Sequence, residues 1–186
     1  MNYKIAVIVG SLRKDSFNAQ LAQALVRLAP KDFSFTFPDI GALPLYNQDD
    51  DADQAPAVRA LKKTVEASHG LIFVTPEYNR SIPGVLKNAI DHASRPWGQN
   101  SWAGKPAGVI GITIGTLGTA IAQQHLRAIL SQLDAPVLCQ PEGYCIFKDG
   151  FFGADGALAE SNREFLQRWM DAYAAWVRRL NANPVG

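Results

Sequence analysis

The chain has 186 residues, of which 47% are apolar and 19% charged, and its net charge is +1. That balance excludes a disordered chain and allows a core that needs no disulfide or metal staple. With no basic run and no apolar segment of the roughly 18 residues a membrane span needs, neither nucleic acid nor a membrane is expected as partner.

Lys4 to Val9 is a short apolar run rich in β-branched residues, as a strand buried on both faces requires. Phe17, Leu21, Leu25 and Leu28 then recur at helical spacing, with Pro30 just beyond. Phe33 to Phe37 alternates apolar and polar, the pattern of an edge strand with one wet face. Asp39 to Pro56, with the run Asp49-Asp50-Asp51, reads as a long surface loop. Val58, Leu61 and Val65 mark a second helix, and Leu71 to Thr75 a third strand. Val85, Leu86, Ala89, Ile90 and Ala93 mark the third helix, and Pro106 to Ile114 a glycine-punctuated fourth strand. Ala122, Leu126, Ile129, Leu130 and Leu133 mark the fourth helix, Pro136 to Cys139 the fifth strand, and Phe165, Trp169, Tyr173, Trp176 and Leu180 a long last helix.

Strand and helix alternate from end to end without a repeat, linker or break, so residues 1–186 form one α/β domain. Strict alternation predicts a parallel sheet with helices on both faces, a three-layer sandwich, and the edge-like second strand favours the order 2-1-3-4-5. Cys139 and Cys145 have neither redox-pair nor zinc spacing and are expected to be buried, reduced thiols. The scattered His69, His92 and His125 read as surface or core-edge residues, and no metal site is expected. The N-terminus runs straight into a strand with no signal-peptide pattern, which points to the cytoplasm.

In open parallel sheets ligands bind beyond the carboxyl ends of the strands, at the switch between strands 1 and 3. The loops there are unusual. From Gly10 to Asn18, Ser11, Ser16 and Asn18 are small and polar, Arg13 is a planar cation, and a helix begins near Ser16 with free N–H groups pointing outward. Those parts suit one phosphate. Neither the dinucleotide glycine fingerprint nor a Walker lysine is present. From Thr75 to Gly84, Pro76 and Pro83 stiffen a loop able to hold backbone groups against a flat, polar-edged ring, with Tyr78 adding an aromatic surface and Asn79 an amide. From Gly111 to Thr119, Gly115 and Gly118 allow close approach of the backbone to a ligand. Each loop alone is equally an ordinary strand-to-helix connection, the third one before a helix capped by Thr119; their joint occurrence at one sheet end points to a ligand.

Gly10-Ser11-Leu12-Arg13 with Ser16 and Asn18, Pro76-Glu77-Tyr78-Asn79 with Ser81, Pro83 and Gly84, and Leu86 to Asp91 together resemble the NADPH-dependent FMN reductases of flavodoxin-like fold, in particular their chromate and quinone reductase branch. The resemblance covers nearly the whole chain. It implies a bound FMN, with Ser11, Arg13, Ser16, Phe17 and Asn18 at the phosphate, Pro76, Glu77, Tyr78 and Asn79 along the isoalloxazine ring, and Gly115 near the ring on a third side. It implies NADPH or NADH as electron donor, and a homodimer or homotetramer with the flavin near an interface, where the similar segment Leu45 to Asp49 borders a partner's site. Arg80 falls at a variable position, where it either sets donor or acceptor preference or faces solvent.

The expected function is that of an NAD(P)H oxidoreductase passing electrons through FMN to quinones, chromate or similar small acceptors. The cofactor carries this chemistry, so no catalytic acid or base is named. One alternative is a reductase that supplies free reduced flavin to a monooxygenase. Another is a flavodoxin-type electron carrier, which the near-zero charge and Arg13 disfavour. A redox-linked WrbA-like assembly protein would need an insertion that the sequence lacks.

Overall fold

The computed structural model describes residues 2–153 and 156–182. Five parallel strands form one sheet in the order β2-β1-β3-β4-β5: β1 Tyr3–Val9, β2 Phe33–Thr36, β3 Gly70–Val74, β4 Ala107–Thr113 and β5 Gly143–Ile146. The helices are α1 Phe17–Leu28, α2 Pro56–Glu66, α3 Gly84–Ala93, α4 Ala120–Gln132 and α5 Glu160–Ala182. Topology and strand order are those expected. None of the helices is long and apolar enough to cross a membrane, among the described residues.

The central strands are apolar throughout because each of their faces is covered. Ile5, Val7, Ile72, Val74 and Ile110 point to one core, closed by α1 and α5. Their neighbours Ala6, Ile8, Leu71, Phe73 and Val109 point to the other, closed by α2, α3 and α4. The period of two is thus present as direction, although polarity does not display it.

On the α5 face, two glycines leave the sheet bare. A Cβ at Gly108 would lie 2.8 Å from Tyr173 Cδ2 and 2.9 Å from Trp169 Cη2, and one at Gly70 would lie 2.8 Å from the Tyr173 hydroxyl. The two rings stack on each other at 5.6 Å and are fully buried.

The fifth strand is not Pro136 to Cys139. That segment makes a single bridge, Val137 to Ala107, in which Ala107 N–H donates to Pro136 and Leu138 N–H donates back to Ala107. Pro136 and Pro141 bring no N–H of their own, so a ladder does not continue there. It resumes at Gly143–Ile146, opposite Ile110–Thr113, where Gly143 lets the backbones close up: a Cβ there would lie 2.6 Å from Ile110 Cγ1. The same departure from the sheet exposes Cys139, against expectation, whereas Cys145 is buried within β5 and burial pushes its thiol pKa up to about 12.

Two outcomes follow from this packing. A thiol reagent should titrate one cysteine in the native protein, lost in Cys139→Ser, and the second only in denaturant. Gly108→Ala should lower stability by about 1–3 kcal/mol in denaturant melts, because both opposing rings are fixed by burial.

Candidate functional site

At the carboxyl edge β1, β3 and β4 lie side by side, and their last hydrogen bonds run past the strand ends: Gly10 N–H donates to Val74 and Thr75 N–H to Ile110. Space is tight at Gly10, where a Cβ would lie 3.1 Å from Leu86 Cδ2 and 3.3 Å from the Thr75 hydroxyl.

Beyond Gly10 the chain rises through exposed Leu12 to Asp15 and enters α1 at Ser16, whose hydroxyl caps the helix by accepting from Ala19 N–H at 3.2 Å. The backbone N–H groups of Phe17 and Asn18 have no partner among the described residues. They are the donors that the positive end of a helix offers to an anion. Arg13 lies in the same loop with its guanidinium 5.4 Å from the centre of the Phe17 ring, and that ring stacks on Phe147 at 3.8 Å. Ser11, Arg13, Ser16, Phe17 and Asn18 are therefore brought together, but the Asn18 side chain is committed elsewhere. Its amide donates to the Ile112 carbonyl at 2.9 Å and accepts from Ile112 N–H at 3.0 Å, fully inside the protein. The side-chain oxygen and one amide N–H of Asn18 are thus spent on Ile112, and its backbone N–H is the donor left at the helix start.

The second loop is a tight hairpin. Tyr78 and Ser81 exchange two backbone hydrogen bonds, of 2.9 and 3.0 Å, across a turn in which both Asn79 (φ 50°) and Arg80 (φ 63°) are left-handed. Asn-Arg lacks the glycine that usually marks such a turn, so the sequence did not reveal it. Pro76 is buried, Pro83 stands at the start of α3, and Tyr78 is 51% exposed at the hairpin's base. The Glu77 side chain, only 9% exposed, turns toward α4: Oε2 accepts from Ile121 and Ala122 N–H at 3.0 and 3.1 Å, and Oε1 lies 3.3 Å from Arg80. Arg80 is thus half of an ion pair.

Gly111 binds the second loop to the third, since a Cβ there would lie 2.0 Å from the Thr75 carbonyl oxygen and 2.5 Å from the Thr119 hydroxyl. Gly115 is open, with nothing nearer to its Cβ position than 3.7 Å. Thr119 does not cap α4 through its side chain; it is left-handed (φ 69°), and Glu77 supplies the cap.

The segment from Pro44 to Asn47 is pinned to α3. Asn88 accepts from Tyr46 N–H and donates to the Pro44 carbonyl, at 2.8 and 2.7 Å, and the His92 ring Nε2 lies 2.9 Å from that carbonyl. Leu45, between the anchors, is 86% exposed. Local pattern gave no sign of these roles for Asn88 and His92, because their partners lie more than forty residues away. A cavity of about 710 Å³ lies at the opposite end of the sheet, between Lys105, Arg127 and Asn181, away from the three loops.

A helix start with free N–H groups, a rigid hairpin with an exposed tyrosine and an open glycine loop thus meet at one sheet edge. Residues 3–145 match the NADPH-dependent FMN reductase family, and the chain belongs to that family. It is 57% identical over 179 residues to a 2-hydroxy-1,4-benzoquinone reductase from a Burkholderia species, covering 96% of this chain and 98% of that one. It is 44% identical to a quinone reductase of Pseudomonas putida, with 95% of each chain covered. Among solved structures it matches FerB, a flavoenzyme NAD(P)H:acceptor oxidoreductase of Paracoccus denitrificans, with a TM-score of 0.92 and 44% identity, over 95% of this chain and 98% of that one.

Replacing Asn18 tests the seam between α1 and β4. Asn18→Ala leaves the Ile112 N–H and carbonyl unpaired in a buried place and should cost about 2 kcal/mol in denaturant unfolding.

Proposed function

We propose that this protein is an FMN-dependent NAD(P)H oxidoreductase whose acceptors are quinones. The observation that carries the reading is the pair of unpartnered N–H groups at Phe17 and Asn18, set beside Arg13 and one strand away from the Tyr78 hairpin. That donor set fits a single phosphate, and the open Gly115 loop with the exposed Tyr78 leaves a place for a flat ring.

FMN, when bound, supplies the redox chemistry, accepting hydride from NAD(P)H and delivering electrons to the acceptor. The chain's own work is binding and orientation. Ser11, Arg13, Ser16 and the backbone of Phe17 and Asn18 hold the phosphate. Pro76, Tyr78 and Asn79 form the rigid wall for the ring, with Gly115 opposite. The paired backbone hydrogen bonds between Tyr78 and Ser81 and the ties of Glu77 and Ser81 to α4 hold this wall in place. No side chain is assigned as acid or base.

The exposed Leu12, Leu45, Tyr78, Ile114 and Leu117 form the apolar complement of a homodimer or homotetramer built around the flavin. Chromate is proposed as a further acceptor, since a flavin face open enough for a quinone also admits a small oxyanion, with water supplying the protons its reduction takes up. A cytoplasmic location suits an NAD(P)H consumer with an exposed free thiol at Cys139.

The test is the purified protein with each nicotinamide and a panel of acceptors. It should be yellow, release FMN on denaturation, and oxidise NAD(P)H steadily with 2-hydroxy-1,4-benzoquinone and no other protein. A protein that stays colourless with added FMN overturns the reading, and turnover that follows added FMN but not quinone makes the flavin a substrate. Arg13→Ala should weaken FMN binding about 10- to 100-fold, the loss of one charge-assisted contact, and leave riboflavin binding unchanged.

A further inference from the structure

The first turn of α4 presents orphan N–H groups that its own N-cap does not satisfy, because Thr119 is left-handed and makes no side-chain cap bond. The missing acceptor comes from forty-four residues upstream. Glu77 places one carboxylate oxygen between Ile121 N–H and Ala122 N–H and keeps the other against Arg80. The carboxylate, whose side chain is 9% exposed, therefore faces a helix end on one side and a guanidinium on the other.

We propose that Glu77 is a positioning residue for the flavin ring: its carboxylate clamps the hairpin to α4, so that the adjacent Tyr78 and Asn79 backbone stands at a fixed distance from the ring. The inference rests on the FMN site proposed above. A second tie, from Ser81 Oγ to the His125 ring at 3.0 Å, fastens the other end of the hairpin one turn further along the same helix. α4 is fixed in turn by the buried Gln123, which donates to the Gly143 carbonyl of β5. The loop after β3 is thus tied to β5 through a helix as well as to its own strand. Glu77 belongs to the site by this clamp, with its side chain spent on α4 and Arg80.

The clamp separates the two ends of the ligand. The phosphate is held at α1, which Glu77 does not touch, so losing Glu77 should loosen the ring and spare the phosphate. Glu77→Gln keeps the shape and removes the charge. In the apoprotein, amide exchange at Ile121 and Ala122 should quicken about tenfold, the loss expected of a charge-assisted hydrogen bond. FMN and riboflavin affinities should both fall about tenfold, keeping their ratio, and the visible circular dichroism of the bound flavin should move toward that of free flavin. Arg13→Ala should do the reverse, collapsing the ratio and leaving the dichroism in place. Ile121→Pro removes one of the two donors in the first turn of α4, an N–H that makes no intrahelical bond, and should reproduce the Glu77→Gln flavin effects even if Glu77→Gln folds poorly. Asp171→Asn, the same change of charge on an exposed carboxylate of α5, should leave every readout within twofold. Unchanged exchange at Ile121 and Ala122 overturns the clamp. Faster exchange with unaltered flavin affinity and dichroism overturns its bearing on the ring. A parent protein that binds neither flavin overturns the FMN site itself, and the exchange result, read without flavin, tells the two failures apart.

Discussion

A buried amide holds the carboxyl edge of this sheet together. Asn18 sits in the first turn of α1, where its backbone N–H remains free, and its side chain closes both hydrogen-bonding groups of Ile112 near the end of β4. That exchange decides how close the start of α1 comes to the loop that follows β4, and so whether a phosphate on the first and a ring near the second can belong to one molecule. It spans 94 residues of sequence and two positions in the sheet, since β3 lies between β1 and β4. A charged or flexible side chain could not do this, because both Ile112 groups are buried and need a rigid donor and acceptor together.

The same edge is assembled by subtraction as much as by contact. Gly111 stands where any side chain would drive the neighbouring loops apart, since a Cβ there would lie 2.0 Å from the Thr75 carbonyl oxygen, and Gly10 also leaves little room. The loops after β3 and β4 are then joined by Glu77 and Ser81, both reaching α4. Ion pairing and close backbone contact therefore meet in a strip a few residues wide, while the free N–H groups at the start of α1 stay on a separate helix. This separation suits a ligand with an anionic tail and a flat head.

Alternation of short apolar runs and helical periods was enough to read the layers, the parallel sheet and its order, because each depends on local pattern and on handedness rules. The fifth strand was misplaced for a physical reason. Pro136 to Cys139 is apolar enough for a strand but is flanked by prolines that cannot continue a ladder, while Gly143–Ile146 is short and its glycine conceals that it packs against Ile110. At the site, residue types were legible and their directions were not. Asn18 and Glu77 carry the polar chemistry of a ligand site, yet each spends its side chain on backbone groups 94 and about 44 residues away, and no local window contains those partners.

The bare glycines beneath α5 bear on how this domain can change over evolutionary time. A helix normally meets a sheet through interlocking side chains, and either partner can drift while the other repacks. Here Trp169 and Tyr173 lie directly on the buried backbone of Gly108 and Gly70, so there is no side chain underneath that can yield. The α5 layer consequently sets a fixed datum for the sheet, and divergence is channelled to the opposite face, where the α2, α3 and α4 side chains can still trade volume with Phe73 and its neighbours.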